Sequence, residues 1–271
     1  MKGSIKVFRG LLEGWVVSVF AFTATAIAQA PFCDDFEDGN GWQSRWTSVI
    51  NTQTLVSSPA HSGSGALKFR GVNGNCHSVM YRTNFQACNG EYSTWVNQQH
   101  FEAGVSMFVL VQPGLDPHPE FRDRYGLYLA AQNSEAGGTF NLNKRVNGVI
   151  TTLGSKAPEF QMNEWIRMFM RRLPDGTIIG GYERQNGFRD SLIFLDPNPI
   201  ITPGSFYIAS CSDVFPTDNF FDDVCFTPIS GPCGSTIPTL SEWGLIIFSL
   251  LLLGTIVFYV RKRRVRTQSI T

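Results

Sequence analysis

Acidic residues form two knots in this sequence of 271 residues: Asp34, Asp35, Glu37 and Asp38 near the start, and Asp218, Asp222 and Asp223 much later. Clustered hard oxygens without thiolate suit Ca2+ over transition metals. The competing role for such acids is capping and turn formation on a solvated face. Cleavage of a glycosidic bond with retention needs two carboxylates about 5–5.5 Å apart, and a strand places alternate side chains on one face. Glu37-Asp38 are adjacent and would point to opposite faces, while Glu120 and Asp123 sit in a Pro-rich segment. A lyase built from Tyr, His and Arg would draw partners distant in sequence, and His100 and His118 have no assigned place. Trp46, Trp95, Tyr125, Tyr128 and Tyr182 are candidates for stacking on sugar rings; their competing role is packing in a Phe-rich core.

Cys33, Cys76, Cys88, Cys211, Cys225 and Cys233 form an even set between the chain's two apolar ends, which suits disulfides made in an oxidising compartment. Six cysteines allow fifteen connectivities. The expected arrangement joins Cys76 to Cys88 around a loop and uses the other four to tie the chain ends together. Zinc is the rival use, but no C-x-x-C pair occurs and His77 alone lies near a cysteine pair.

The elements that must carry these residues are nearly all strands. Short aromatic and β-branched runs occur at Arg45–Leu55, Ala66–Arg70, Ser78–Arg82, Ser93–Val96, Val105–Val111, Tyr125–Ala131, Thr139–Asn143 and Gly148–Leu153. Ser205–Ala209 and Phe220–Phe226 close the series, and Gly, Asn, Ser and Pro punctuate it. The clearest hairpin is Trp165–Leu173, turning at Pro174-Asp175-Gly176 into Thr177–Tyr182. Its first strand puts Ile166, Met168 and Met170 on one face and Arg167, Phe169 and Arg171 on the other. No twelve-residue segment between the two ends has a helical period. Residues 31–236 hold 14 basic and 20 acidic residues, which argues against nucleic-acid binding.

The ends address the chain to an envelope. Lys2, Lys6 and Arg9 precede an apolar run, Trp15–Ile27, and small residues, the outline of a secretory signal peptide for the Sec machinery and signal peptidase. Cleavage after Ala28 is favoured over Ala30, because Pro31 would directly follow the second cut. Near the other end, Trp243 to Val260 is uncharged and, as a helix, roughly 27 Å long, enough to cross a bilayer's hydrocarbon core. Arg261, Lys262, Arg263, Arg264 and Arg266 mark a cytoplasmic flank. The octet before it carries Ile237, Pro238, Thr239, Leu240, Trp243 and Gly244. Octet, span and basic end resemble the IPTL-CTERM sorting signals of Gram-negative bacteria. That resemblance implies processing by an exosortase-type enzyme during delivery to the cell surface.

A second resemblance concerns the part between the ends. Cys33-Asp34-Asp35-Phe36-Glu37-Asp38-Gly39 with Trp42, His61-Ser62-Gly63-Ser64-Gly65-Ala66-Leu67-Lys68-Phe69, Asn163-Glu164-Trp165 and Phe221-Asp222-Asp223-Val224 are similar to concanavalin A-like, or laminin-G-like, jelly rolls. The likeness implies an all-β two-sheet sandwich with its first and last strands side by side. On that fold Asp34, Asp35 and Glu37 would approach Asp222 and Asp223 as a calcium site. Glucanases of the fold carry E-x-D-x-E on one strand, a spacing absent here. The expected order is a signal peptide (1–28), a β-sandwich (29–230), a linker (231–236), the sorting octet (237–244), a transmembrane helix (245–260) and a basic cytoplasmic tail (261–271). The expected role is a non-catalytic surface or matrix protein that binds extracellular polysaccharide, the alternative being a secreted hydrolase or lyase.

Overall fold

The computed structural model describes residues 30–50, 53–71, 78–100, 103–116, 118–131, 138–212, 217–229, 249–253 and 255. The chain forms two compact units, Met1–Cys233 and Gly234–Thr271. In the first unit, β1 (Phe32–Asp34) and a helical turn α1 (Trp42–Arg45) lead to β2 (Trp46–Ile50), β3 (Thr54–Val56), β4 (Ala66–Gly71) and β5 (Ser78–Arg82). Then come β6 (Gly90–Gln98), β7 (Ala103–Val111), β8 (Arg124–Ala130), β9 (Thr139–Val146) and β10 (Val149–Lys156). The last are β11 (Trp165–Arg172), β12 (Thr177–Arg184), β13 (Arg189–Leu195), β14 (Ser205–Ser212) and β15 (Thr217–Pro228).

The strands pair antiparallel into two sheets. The first runs β13-β12-β11-β6-β15-β4-β3, with β1 also on β15; the second runs β10-β9-β8-β7-β14-β5-β2. Period-two alternation decides what lies between them. Ile166, Met168 and Met170 from the first sheet meet Val105, Met107, Val109, Leu127, Leu129 and Ile208 from the second, all at most 1% exposed. Each such side chain contributes roughly 1.5–3 kcal/mol when fully buried.

The predicted hairpin forms as expected. Its turn closes through the Gly176 amide on the Leu173 carbonyl, with Gly176 at φ +93°, where a side chain would be strained. β1 lies against β15 with Phe32, Cys33 and Asp34 opposite Phe226, Cys225 and Val224. Cys33 and Cys225 are bonded to each other, and Cys88 is also disulfide-bonded. Cys76, Cys233 and the Cys211 side chain lie outside the described residues, as do most of the expected signal peptide, sorting octet and span. Residues 249–253 are helical, and no helix among the described residues is long and apolar enough to cross a membrane.

Two sequence expectations change. The run Arg45–Leu55 is not one strand: β2 belongs to the second sheet and β3 to the first, so the chain changes layers between Ile50 and Thr54. Gln53, 5% exposed, donates to the Ser78 hydroxyl and is held inside the crossing. β13 was not expected. It is an edge strand in which Ile193 and Leu195 are exposed, so alternation there buries too little to stand out. The Asn186-Gly187 turn before it, with the Arg184 amide on the Phe188 carbonyl at 2.7 Å, was its legible signal.

Candidate functional site

Alternation that sends Met107 and Leu127 inward sends their neighbours out. The outer face of the second sheet carries Ser106 and Phe108 from β7, Arg124 and Tyr128 from β8, Asn141, Asn143 and Arg145 from β9, and Tyr207 from β14. Phe108, Tyr207, Val79 and Ala209 form a second apolar cluster there, apart from the main core, with Tyr81 and Tyr128 at its margin. The rings of Tyr81 and Tyr207 lie 5.1 Å apart. Tyr128 rests on the backbone of Gly104, where a Cβ would stand 2.2 Å from the ring.

The segment between β7 and β8 folds back over this face. Asp116 accepts the His118 amide at 2.8 Å, and a single helical turn at Pro119–Phe121 follows. Arg122 donates to the Tyr207 hydroxyl at 3.1 Å, tying the segment to the sheet. Arg124 donates from Nε to the Pro119 carbonyl at 2.9 Å and from Nη1 to Asn143 Oδ1 at 2.7 Å. Its guanidinium lies 4.3 Å above the Phe108 ring, a cation–π contact. Gly126 makes that placement possible, since a Cβ there would sit 2.4 Å from Arg124 Nη1. Burial pulls the Arg124 guanidinium down to about 10; the Glu120 charge opposes the shift and the Arg145 charge adds to it.

A cleft of about 320 Å³ opens between segment and sheet, walled by Phe108, Phe121, Tyr128, Asn141, Asn143, Arg124, Arg145 and Glu120. Phe121 is 52% exposed and lies under the Arg145 guanidinium at 5.6 Å. Rings, amides, guanidinia and one carboxylate can stack on and hydrogen-bond a ligand rich in hydroxyls. Glu120 is the only carboxylate among the described residues of this wall.

Of the five expected stacking aromatics, only Tyr128 stands in this cleft. Trp46, Tyr125 and Tyr182 are corrections: each is at most 2% exposed, because register turns it inward and an internal partner takes its polar tip. Trp46 Nε1 donates to Asp34 at 2.8 Å, the Tyr125 hydroxyl donates to Asp196 at 2.5 Å, and the Tyr182 hydroxyl accepts the Glu159 amide at 2.7 Å. Trp95 is on the outer face of the first sheet, where the His61 ring stacks on it at 3.7 Å.

The expected calcium acids are not gathered. Asp34 is bound to Arg45 and Arg82, and Asp35 accepts the Glu37 amide at 3.3 Å. Glu37 accepts the Ser64 and Gly65 amides, both at 2.7 Å. Asp222 accepts the His61 and Ser62 amides, and Asp223 meets His61 Nδ1 at 3.0 Å. Burial pushes Asp222 up to about 6, and the amides of Ser62, Asp223 and His61 work against that shift. No group of three or more His, Cys, Asp or Glu suited to a metal occurs among the described residues. Phe108, Phe121, Arg124, Asn141, Asn143 and Arg145 were missed. For the strand residues the signal was the outward phase of three successive strands, opposite Val105, Met107, Leu127, Leu129, Phe140 and Leu142; Phe121, in the turn Pro119–Phe121, had none.

Solved structures place the fold. The chain is similar to a protein of unknown function with a galectin-like fold from Bacillus subtilis (TM-score 0.53, 14% identity, covering 73% of this chain and 96% of that one). It is similar as well to Bacillus licheniformis β-glucanase (0.50, 11%, 74% and 99%) and to a legume lectin-like domain from Entamoeba histolytica (0.50, 10%, 69% and 91%). The described sandwich thus has the fold of lectins and glucanases. No curated protein matches the sequence. Residues 236–264 match the IPTL-CTERM motif, so the chain carries a C-terminal signal for exosortase-dependent sorting.

Proposed function

We propose that the sandwich is a non-catalytic glycan-binding module of an exported surface or matrix protein, with the outer face of the second sheet as its binding face. The observation that supports this most is the cleft itself: Phe121 and Tyr128 beside Asn141, Asn143 and Glu120. Sugars offer apolar C–H faces to rings and hydroxyls to amides and carboxylates. The cleft volume lies near the lower end for ligand sites and suits one or two sugar units. A single wall carboxylate does not make the pair that hydrolysis requires.

Tyr128→Ala should weaken binding of the full chain to a retained polysaccharide about 10- to 100-fold, the loss expected when a stacked ring contributing roughly 1.5–3 kcal/mol is removed. Affinity electrophoresis over a polysaccharide panel measures it; unchanged retention would rule out this face. Release of shortened products from the panel would replace the binding reading with the enzyme reading.

In the same proposal the Sec machinery and signal peptidase act on residues 1–28, residues 245–260 hold the precursor in the membrane, and an exosortase-type enzyme acts at 237–244. Peptides from Leu245–Thr271 should then be missing from mass spectra of the surface form. Recovery of the intact tail in exosortase-positive cells would contradict this processing.

A further inference from the structure

Arg124 on β8 and Arg145 on β9 are direct cross-strand partners. Like charges directly opposite on a sheet are destabilising, and Arg124 is 4% exposed, which adds the cost of burying charge. Among the guanidinia of the sandwich, Arg45 is neutralised by Asp34 at 2.7 Å, Arg82 by Asp34 at 2.9 Å and Arg184 by Glu164 at 2.6 Å, while the buried Arg172 donates to Asn89 and the Leu173 carbonyl but faces no second guanidinium across a strand pair. Arg124 also spends its donors on neutral oxygens, those of Pro119 and Asn143. Arg145 Nε is buried and has no hydrogen-bond partner.

The neighbouring groups do not cancel this charge. Glu120 supports Arg124 at a distance but forms no ion pair with it. Arg122, turned to Tyr207, adds a third positive charge at the segment. The Asp123 carboxylate accepts the Asn147 amide at 2.7 Å. In a domain with six more acids than bases, composition does not account for a basic pair set face to face.

Resting on the glycan-binding reading, we propose that the cleft takes an acidic saccharide whose anionic group, a uronate carboxylate or a sulfate ester, is held by Arg145 and Arg124. A guanidinium fork matches two oxygens of either anion. The anion would meet the outer edge of the Arg145 guanidinium, whose buried Nε has no partner, and relieve the repulsion across β8 and β9. The sugar ring then lies along Tyr128 and Phe121, and Asn141 and Glu120 take hydroxyls.

The test compares the full chain's affinity for polygalacturonate, its carboxyl-reduced counterpart and dextran sulfate. An acidic polymer should bind at least about 10-fold tighter than the reduced one, the effect of one charge-assisted bidentate contact. The preference should shrink as salt rises. Preference for polygalacturonate identifies a carboxylate, and preference for dextran sulfate alone identifies a sulfate ester. Arg145→Gln should bring the ratio of acidic to reduced polymer close to one while leaving the melting temperature equal or higher. A lower melting temperature would overturn the idea that the pair is a cost the ligand relieves. Equal binding of acidic and reduced polymers overturns the acidic-ligand inference and leaves glycan binding standing. Retention of none of the three, nor of any polymer in the wider panel, overturns both.

Discussion

Replacing Cys33 and Cys225 together by serine should remove about 3–5 kcal/mol of stability and lower the melting temperature by about 10 °C. The bond joins residues 192 positions apart, and a cross-link spanning so much chain removes a large share of the unfolded ensemble's freedom. Cys33 and Cys225 are direct partners in the β1–β15 register. β1 is only three residues long and pairs with β15 alone, so without the bond three ladder positions must hold it. The double substitution is cleaner than adding a reductant, because Cys88 is bonded too and would open as well. Thermal and urea unfolding give the number. A loss below about 1 kcal/mol would mean that pairing and packing fix β1 without the bond.

Asp34→Ala should cost about 3–5 kcal/mol, the usual result of stripping one partner from a buried charge network. Asp34 is 3% exposed and accepts from Arg45 Nε at 2.8 Å, Arg45 Nη2 at 2.7 Å, Arg82 Nη1 at 2.9 Å and Trp46 Nε1 at 2.8 Å. The substitution leaves Trp46 Nε1 in the core and Arg82 half-buried without an acceptor there, and desolvated donors are expensive. Burial alone would raise the Asp34 carboxyl, but hydrogen bonds from Arg45 and Trp46 and the charges of Arg45 and Arg82 outweigh it. The group is held below its ordinary value of 3.8. A carboxyl lowered in the folded state stabilises above its unfolded value, and that contribution disappears as pH falls through the folded value. Wild type should therefore lose stability as pH falls below about 4, and Asp34→Asn should flatten that limb. Urea midpoints at pH 7 and pH 3 decide the matter: a variant matching wild type at both would dismiss the network.

Much of the framework was visible in the sequence because it rests on local rules. Pro174-Asp175-Gly176 fixes its own turn geometry, and Ile166, Met168 and Met170 declare a buried face by period alone. The adjacency of β1 and β15 was available through the likeness to jelly rolls and, without a pairing, through the four cysteines expected to tie the chain ends, since no local rule within Cys33–Gly39 specifies a partner so far away. The cleft was hidden for a different reason. Tyr125 and Tyr128 are three residues apart on one strand and so face opposite ways, yet composition treats them alike. Which phase is inner depends on the partner sheet, and that is settled by contacts among distant strands. The opposition of Arg124 and Arg145 is likewise a matter of register across the β8–β9 pair, which neither strand encodes by itself.

The position of the Cys225 staple also bears on how the molecule would take a mechanical load. On the proposed function, a sorted chain held on the C-terminal side of β15 and bound to polymer at the cleft would carry tension along β15. Tension arriving from beyond Pro228 can peel back only Pro228, Thr227 and Phe226 before it reaches the covalent link to β1. Beyond that point the force is shared by two strands, with β6 and β4 flanking β15 on either side. Fraying from that end would therefore be halted at Cys225, with Phe226 the one core ring lying beyond the link.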